Sequence, residues 1–476
     1  MSSPVDAAYR RAKNELYARG PGRMLPDMAR ITRLVGLMGD PQDTLPVVHV
    51  TGTNGKGSVV RMVSTLCAAA GITAGTYTSP HLQSVRERFM IAGRPISRRR
   101  FTEVYDAVKP LVTLLDDEIR AAGGSDQDQV TYFEFLTAMA LWWCADQPVD
   151  AAVIEVGMGG AFDATNVVRG DVAVFNAIDR DHPELGDTPV EVAREKAGIL
   201  KAGGSAVTAV QHPDVLTVLV DQAAHRDVKL ACAETDFTVV SRVPAVGGQQ
   251  IAVRVGDRMI SDIALPLFGA HQAANAALAL AAFAAFMGDG FAAIDDDVLR
   301  HGLEAVTVPG RMEIVHRYPT IVLDGAHNPH AARTLIPTLT EAFGDAEIVL
   351  VVAYFADKDV PNILRELRDR VAHVVVTTVD NPRALPAQTL ATYAREMWQG
   401  TPVQVTVAAT VQDALEAAQA LALDGSVILV TGSLTLVGDA RQFFLGDVDD
   451  DDEVVRLPDD DEDDPSDEFP LDANGQ

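Results

Sequence analysis

The sequence predicts an α/β protein of two domains. Three observations carry this: a strand, glycine-rich loop and helix at residues 47–70, a long alternation of apolar runs with helical patterns behind it, and a second alternation starting at Thr320. A chain of 476 residues exceeds what one compact core organises, so two domains are expected. They are placed at 1–308 and 309–446, with the break near Val308-Pro309-Gly310, ahead of an acidic tail over 447–476.

The first element is the apolar run Pro46-Val47-Val48-His49-Val50, followed by Thr51-Gly52-Thr53-Asn54-Gly55-Lys56-Gly57-Ser58 and a helical pattern from Ser58 to Ala70. Such a loop wraps backbone N–H groups around phosphates: glycines allow close approach, the helix N-terminus favours negative charge, and Lys56 neutralises a β/γ-phosphate. ATP is the expected ligand. The loop departs from G-x-x-x-x-G-K-[ST], because Gly57 stands where the hydroxyl residue belongs and Ser58 follows one place later.

Further strands are expected at Thr73–Tyr77, Ala152–Val156 and Val172–Asn176. Between Asp236 and Phe268 the pattern turns to period-two runs with a Gly256-Asp257 turn, the mark of a small antiparallel patch, closed by a helix over Ala270–Met287. The second series, Thr320–Leu323, Ile348–Ala353, Val374–Thr378 and Val427–Thr431, predicts a smaller, four-stranded Rossmann-like domain.

Composition narrows the class. Hydrophobic residues make up 47%, ordinary for a soluble protein, and the apolar stretch Ala273–Met287 is too short for a bilayer. The polar N-terminus carries no secretory signal, and three scattered cysteines, Cys67, Cys144 and Cys232, indicate neither a disulfide framework nor a C-x-x-C metal site. A cytoplasmic protein away from membranes is expected. Half of the net charge of −28 lies in 447–476, where 15 acids face one arginine; such a tail reads as disordered and solubilising. The acidic body argues against a nucleic-acid partner.

Several strand ends carry chemistry. Glu155 closes an apolar strand beside the phosphate loop, where a carboxylate holds Mg²⁺; the plainer alternative is a solvated strand end. His182, in Asp181-His182 after the strand Val172–Asn176, is open to a metal or phosphate role or to a structural one. Ser79, in Thr78-Ser79-Pro80-His81, offers a hydroxyl on the same edge or simply a turn. Lys196, within Ala193–Ile199, reads as a helical ion-pair partner. Asp324 and His327, in Asp324-Gly325-Ala326-His327-Asn328-Pro329, suit ribose and phosphate, though Asn328-Pro329 is also a plain helix start.

Together these residues resemble the Mur-ligase superfamily and, within it, the folylpolyglutamate synthases that are often also dihydrofolate synthases. The resemblance is ordered from Met24 to Gly438: TGTNGKGS at Thr51–Ser58, TSPHL at Thr78–Leu82, ER at Glu87-Arg88, TYFEF at Thr131–Phe135, EVGMGG at Glu155–Gly160, DATN at Asp163–Asn166, DH at Asp181-His182, EKAGI at Glu195–Ile199, HQAAN at His271–Asn275, PGR at Pro309–Arg311, DGAHNP at Asp324–Pro329, DKD at Asp357–Asp359 and TGSL at Thr431–Leu434. It implies a Mur-ligase-like central P-loop domain with a C-terminal Rossmann-like domain. It departs at Ala161, where the family has arginine, and after His182, where the loop is one residue shorter.

The resemblance further implies roles. Thr53, Asn54, Gly55, Lys56, Gly57 and Ser58 would hold the triphosphate; Asn275, Arg311, Asp324 and His327 would contact ATP. Ser79, Glu155 and His182, with Ser58, would bind Mg²⁺, and Lys196 would be carbamylated; Lys56, Lys196 and His182 form the catalytic set. Thr131, Tyr132, Phe133, Glu134, Phe162, Asp163 and Ala164 would meet the pterin end, helped by the segment near Arg23–Leu25. Lys358, Arg383 and Ser433 would take the incoming L-glutamate. The implied reaction is ATP-dependent ligation of L-glutamate to folate, and to dihydropteroate, through an acyl phosphate, by a monomer. Two rivals are a Mur-type ligase acting on a UDP-sugar peptide and a non-catalytic nucleotide-binding regulator.

Overall fold

The computed structural model describes residues 3–20, 28–180 and 183–446. His182, the segment Arg23–Leu25 and the acidic tail lie outside them. The first domain is built on an eight-stranded sheet: β1 (Val47–Thr51), β2 (Ala74–Tyr77), β3 (Phe89–Ile91), β4 (Arg94–Pro95), β5 (Ala151–Glu155), β6 (Val172–Phe175), β7 (Ser205–Thr208) and β8 (Lys229–Cys232). Their order is β4-β3-β2-β5-β1-β6-β7-β8; β3 and β4 are antiparallel and the rest parallel. All five residues of β1 and of β5 are buried, as expected for strands covered on both faces.

Alternation along these strands feeds two cores. Ala152 and Ile154 pack with the helices Pro4–Ala18, Ala29–Leu37, Arg98–Ala121 and Tyr132–Asp146, while Val153 faces Lys56–Ala69 and Ala270–Met287. The stretch Ala270–Ala293 is long and apolar enough to cross a membrane by length and composition. Its helix is nevertheless a core element here, with Leu278, Leu280 and Phe283 fully buried against the sheet and against Ile251, Val253, Ile260 and Ile263 of the antiparallel patch. That patch is β9 (Phe237–Ala245), β10 (Gly248–Val255) and β11 (Arg258–Leu265). The three cysteines are unpaired.

The second sheet holds six strands where four were expected: β12 (Glu313–Arg317), β13 (Thr320–Asp324), β14 (Ile348–Val352), β15 (Val371–Val376), β16 (Gln404–Val407) and β17 (Val427–Thr431), in the order β12-β13-β17-β14-β15-β16. The two unforeseen strands are its edges. Each is at best half-buried and lacks a continuous apolar run, so neither stands out from its sequence.

The contacts that join the domains include three away from the phosphate loop. Arg242 of β9 pairs with Glu341, Nη2 to Oε2 at 2.7 Å, and Arg441 Nη1 donates to Gln83 Oε1 at 2.6 Å. The third is a close approach of the helix Leu434–Leu445 to the loop after β2, where a Cβ on Gly438 would stand 2.2 Å from the carbonyl oxygen of Leu82.

Candidate active site

The carboxyl ends of the central strands of both sheets open on one cavity of about 300 Å³, lined by Thr53–Ser58, Ser79, Glu155, Asn275, Arg311 and Asp324–Asn328 among others. β1 lies between β5 and β6, so its glycine-rich loop emerges where the chain turns to either side of the sheet, the usual ligand crevice. Gly55 takes φ +81°, and a Cβ there would meet Asn176 Nδ2 at 2.4 Å, so only glycine fits. Thr51 Oγ1 donates to Gly159 O at 2.8 Å, and Thr53 N–H to Ala177 O at 2.9 Å, tying the loop to both neighbouring strand ends.

Lys56 curls over the loop, with Nζ 3.1 Å from Gly52 O. Lys196, buried at the end of the helix Pro189–Lys196, donates to the same carbonyl at 3.0 Å. Glu155 is buried with Oε2 accepting from the Ser79 backbone N–H at 3.1 Å; burial raises its carboxyl above the usual range, against the attraction of Lys56. A Cβ on Gly57 would be 3.4 Å from that same oxygen. Ser58 is buried, accepting from Gln272 Nε2 at 3.4 Å.

From the second sheet, Asp324 accepts from the N–H groups of Met312 and Ala326 at 2.9 Å each, and burial raises its carboxyl. His327 donates from Nδ1 to Gly325 O at 2.8 Å; burial pushes it down to about 4, so it is neutral at pH 7. Arg311 is close-packed against Gly325, where a Cβ would lie 2.3 Å from Nη1.

Beside this cavity lies a second of about 230 Å³, reached past Asn54, Gly55 and Asn275. Ala177, Val210, Phe237, Val239 and Ala277 make it apolar, and Asn176 and Asn275 place two amides on its wall, Asn176 Nδ2 donating to Asn275 Oδ1 at 3.1 Å. Sequence reasoning found Asn275 but missed Asn176, the residue directly after β6, and the apolar wall, whose residues come from four separate elements. It also missed Arg61, one turn into the phosphate-loop helix and on the cavity lining.

Of the residues read for the pterin end, Phe133 and Asp163 meet at Gly157. A Cβ there would stand 2.4 Å from Phe133 Cζ and 3.0 Å from Asp163 Oδ2. Asp163 is buried and accepts from Met158 N–H at 2.8 Å and Thr165 N–H at 3.0 Å, stapling the glycine-rich segment after β5. Thr131 and Glu134 form a capping box on the helix Tyr132–Asp146, and Glu134 also pairs with Arg30 at 3.0 Å. Tyr132 lies under the Arg88 guanidinium, Ala164 is buried, and Phe162 is half exposed. Ala161 rests against Gly198, where an added Cβ would be 2.4 Å away.

Lys358 and Arg383 come together on Asp357, at 2.9 Å each, which holds that carboxyl down at about 2 despite its partial burial. Ser433 caps the helix Leu434–Leu445, accepting from Leu436 N–H at 3.1 Å. None of the three lines the shared cavity. His182 falls outside the described residues, among which no three His, Cys, Asp or Glu side chains converge as a metal site.

Glu155, with hydroxyls of Ser58 and Ser79 at the cavity wall, offers hard oxygen donors; such a partial set fits Mg²⁺, which takes few protein ligands beside phosphate oxygens and water.

Residues 108–283 match the Mur ligase middle domain and residues 310–434 the Mur ligase glutamate ligase domain. A dihydrofolate synthase/folylpolyglutamate synthase of Mycobacterium tuberculosis is 42% identical over 443 residues, 89% of this chain and 91% of the relative. One of Bacillus subtilis is 32% identical over 441 residues, 91% and 99%. Among solved structures, M. tuberculosis folylpolyglutamate synthase complexed with ADP superposes with a TM-score of 0.86 at 40% identity, covering 92% of this chain and 99% of that one. An FPGS–AMPPCP–folate complex gives 0.79 at 31% identity, 92% and 100%.

Proposed function

The chain belongs to the folylpolyglutamate/dihydrofolate synthase family of ATP-dependent Mur ligases, and on that premise we propose that it joins L-glutamate to a reduced folate and to dihydropteroate. The observation that carries this reading is the shared cavity: Lys56 and Glu155 enter it from the first domain and Arg311 and Asp324 from the second.

A carboxylate is a poor electrophile at neutral pH, so ligation begins with its activation. One carboxylate oxygen of the pteroyl or folyl substrate attacks the γ-phosphorus and ADP leaves, giving an acyl phosphate. Lys56 and Arg311 stabilise the charge on the transferring group by position and electrostatics. The amine of L-glutamate then attacks the acyl carbon, and phosphate departs with the electron pair of the C–O bond as the nitrogen loses its proton. No protein nucleophile is needed.

Glu155, with Ser58 and Ser79 and His182, would hold Mg²⁺, which would supply charge neutralisation for the transferring phosphoryl group. Lys196, buried against the loop carbonyl Gly52 O, is read as the carbamylated lysine, whose added carboxylate would supply a further oxygen ligand for the metal. Thr53–Ser58 cradle the phosphates, and Asp324 and His327 receive the ribose side. The apolar slot with Asn176 and Asn275 suits adenine: a flat base buries its faces while the two amides read its edge. The pterin end is assigned to Thr131–Glu134 and Phe162–Ala164, and glutamate to Lys358, Arg383 and Ser433 once the Asp357 pair opens. We read the protein as a cytoplasmic monomer.

The test is ADP release measured with each substrate omitted in turn. ADP release that requires both a folate or pteroate and glutamate is the expected result; release indifferent to either one rejects the reading.

A further inference from the structure

Asn54, at the tip of the phosphate loop, spends its side chain on the other domain. Its Oδ1 accepts from Asn328 Nδ2 at 3.1 Å and its Nδ2 donates to His330 Nδ1 at 2.8 Å. The direction of every bond in this chain is fixed from one end. Asn328 caps the helix Pro329–Phe343, and its Oδ1 must face the Ala331 N–H, 2.8 Å away, because a backbone N–H only donates. Its Nδ2 is therefore turned toward Asn54, which must answer with Oδ1. The Asn54 amide then presents Nδ2 to His330, whose Nδ1 has to be the bare, accepting nitrogen.

We propose that Asn54, Asn328 and His330 form a polarity-coded clasp that holds the second domain against the phosphate loop, with His330 a positioning residue for the closed, reacting state. A helix cap of the second domain thereby sets which way a phosphate-loop amide points. The two residues that grip Asn54 both line the shared cavity, so the clasp closes over the phosphates and not at a remote rim. This deepens the ligase reading and rests on it.

The experiment uses the full chain with donor and acceptor dyes at Val246 and Leu423, both exposed and on different domains. His330→Ala removes the acceptor; His330→Asn restores an acceptor oxygen near the Nδ1 position. Expected results are that His330→Ala lowers both the AMPPCP-dependent closure signal and kcat by about tenfold, the worth of one directional hydrogen bond, with the thermal midpoint unchanged, and that His330→Asn recovers most of both. In an Asn54→Ala background His330→Ala should add almost nothing, since the two act through one bond. Unchanged closure and kcat in His330→Ala, equal loss in both His330 variants, or full additivity with Asn54→Ala would each overturn the clasp. If the wild type closes on AMPPCP but ligates no glutamate to folate, the ligase reading fails while the clasp stands.

Discussion

Gly57 lies under the carboxylate of Glu155, with room for a Cβ at 3.4 Å from Oε2 and for little beyond it. The missing hydroxyl of this phosphate loop is thus the space that the strand-end acid occupies. Gly57→Val should push that carboxylate aside and reduce ligation about a hundredfold or more, while Gly57→Ala should be tolerated far better. Steady-state kinetics on the two variants checks this; equal activity would contradict it.

Glu155→Gln keeps an acceptor for the Ser79 N–H but removes a buried charge whose ionised form is already disfavoured. Activity should fall by at least about a hundredfold while the thermal midpoint holds or rises. Lys56→Ala should be as inactive and equally folded. A lowered midpoint in Glu155→Gln would mean that the carboxylate stabilises the fold instead of serving the reaction.

Gly438 sets helix propensity against packing. Alanine is the better helix former by about 1 kcal/mol, yet a Cβ at 438 would stand 2.2 Å from Leu82 O. Gly438→Ala should therefore force the loop Leu82–Glu87 off the helix Leu434–Leu445, lowering both stability and kcat. Thermal melting and kinetics decide it, and a stabilised, fully active variant would show the loop to be free to move.

His49 is fully buried in β1, with Nε2 2.8 Å from Thr165 Oγ1, and burial pushes it down to about 3. A histidine neutral in the fold but protonating near 6.5 when unfolded contributes stability at neutral pH that is lost as pH falls through 6.5 toward 3. The loss amounts to about 2 kcal/mol between about pH 7.5 and about pH 5. Buried Glu155, Asp163 and Asp324, all raised, act in the opposite sense, and they are common to both proteins when His49→Gln is compared with wild type. Urea unfolding at both pH values should show the variant losing less on acidification; identical losses would contradict the assignment.

How much of this was legible in the sequence depends on where the signal is local. The phosphate loop, Glu155 and Asp324 each sit within a few residues of an apolar strand, so sequence alone places them at one sheet edge. The clasp could not be read that way. Asn328 shows itself only as a helix cap, and its grip on a residue 274 positions earlier exists only once two sheets face each other. The apolar slot is hidden for the same reason, being assembled from side chains that are ordinary core residues in their own elements. The resemblance names Lys358 and Arg383 for the incoming glutamate, and that both pair with one acid, Asp357, is visible only in the structure.

The most direct measurement is mass-spectrometric detection of glutamate addition to dihydropteroate and to tetrahydrofolate monoglutamate, each with ATP and Mg²⁺. A product one glutamyl residue heavier is expected from both, matched mole for mole by ADP, and none from Lys56→Ala. ADP formation without a glutamylated product from either substrate would contradict it.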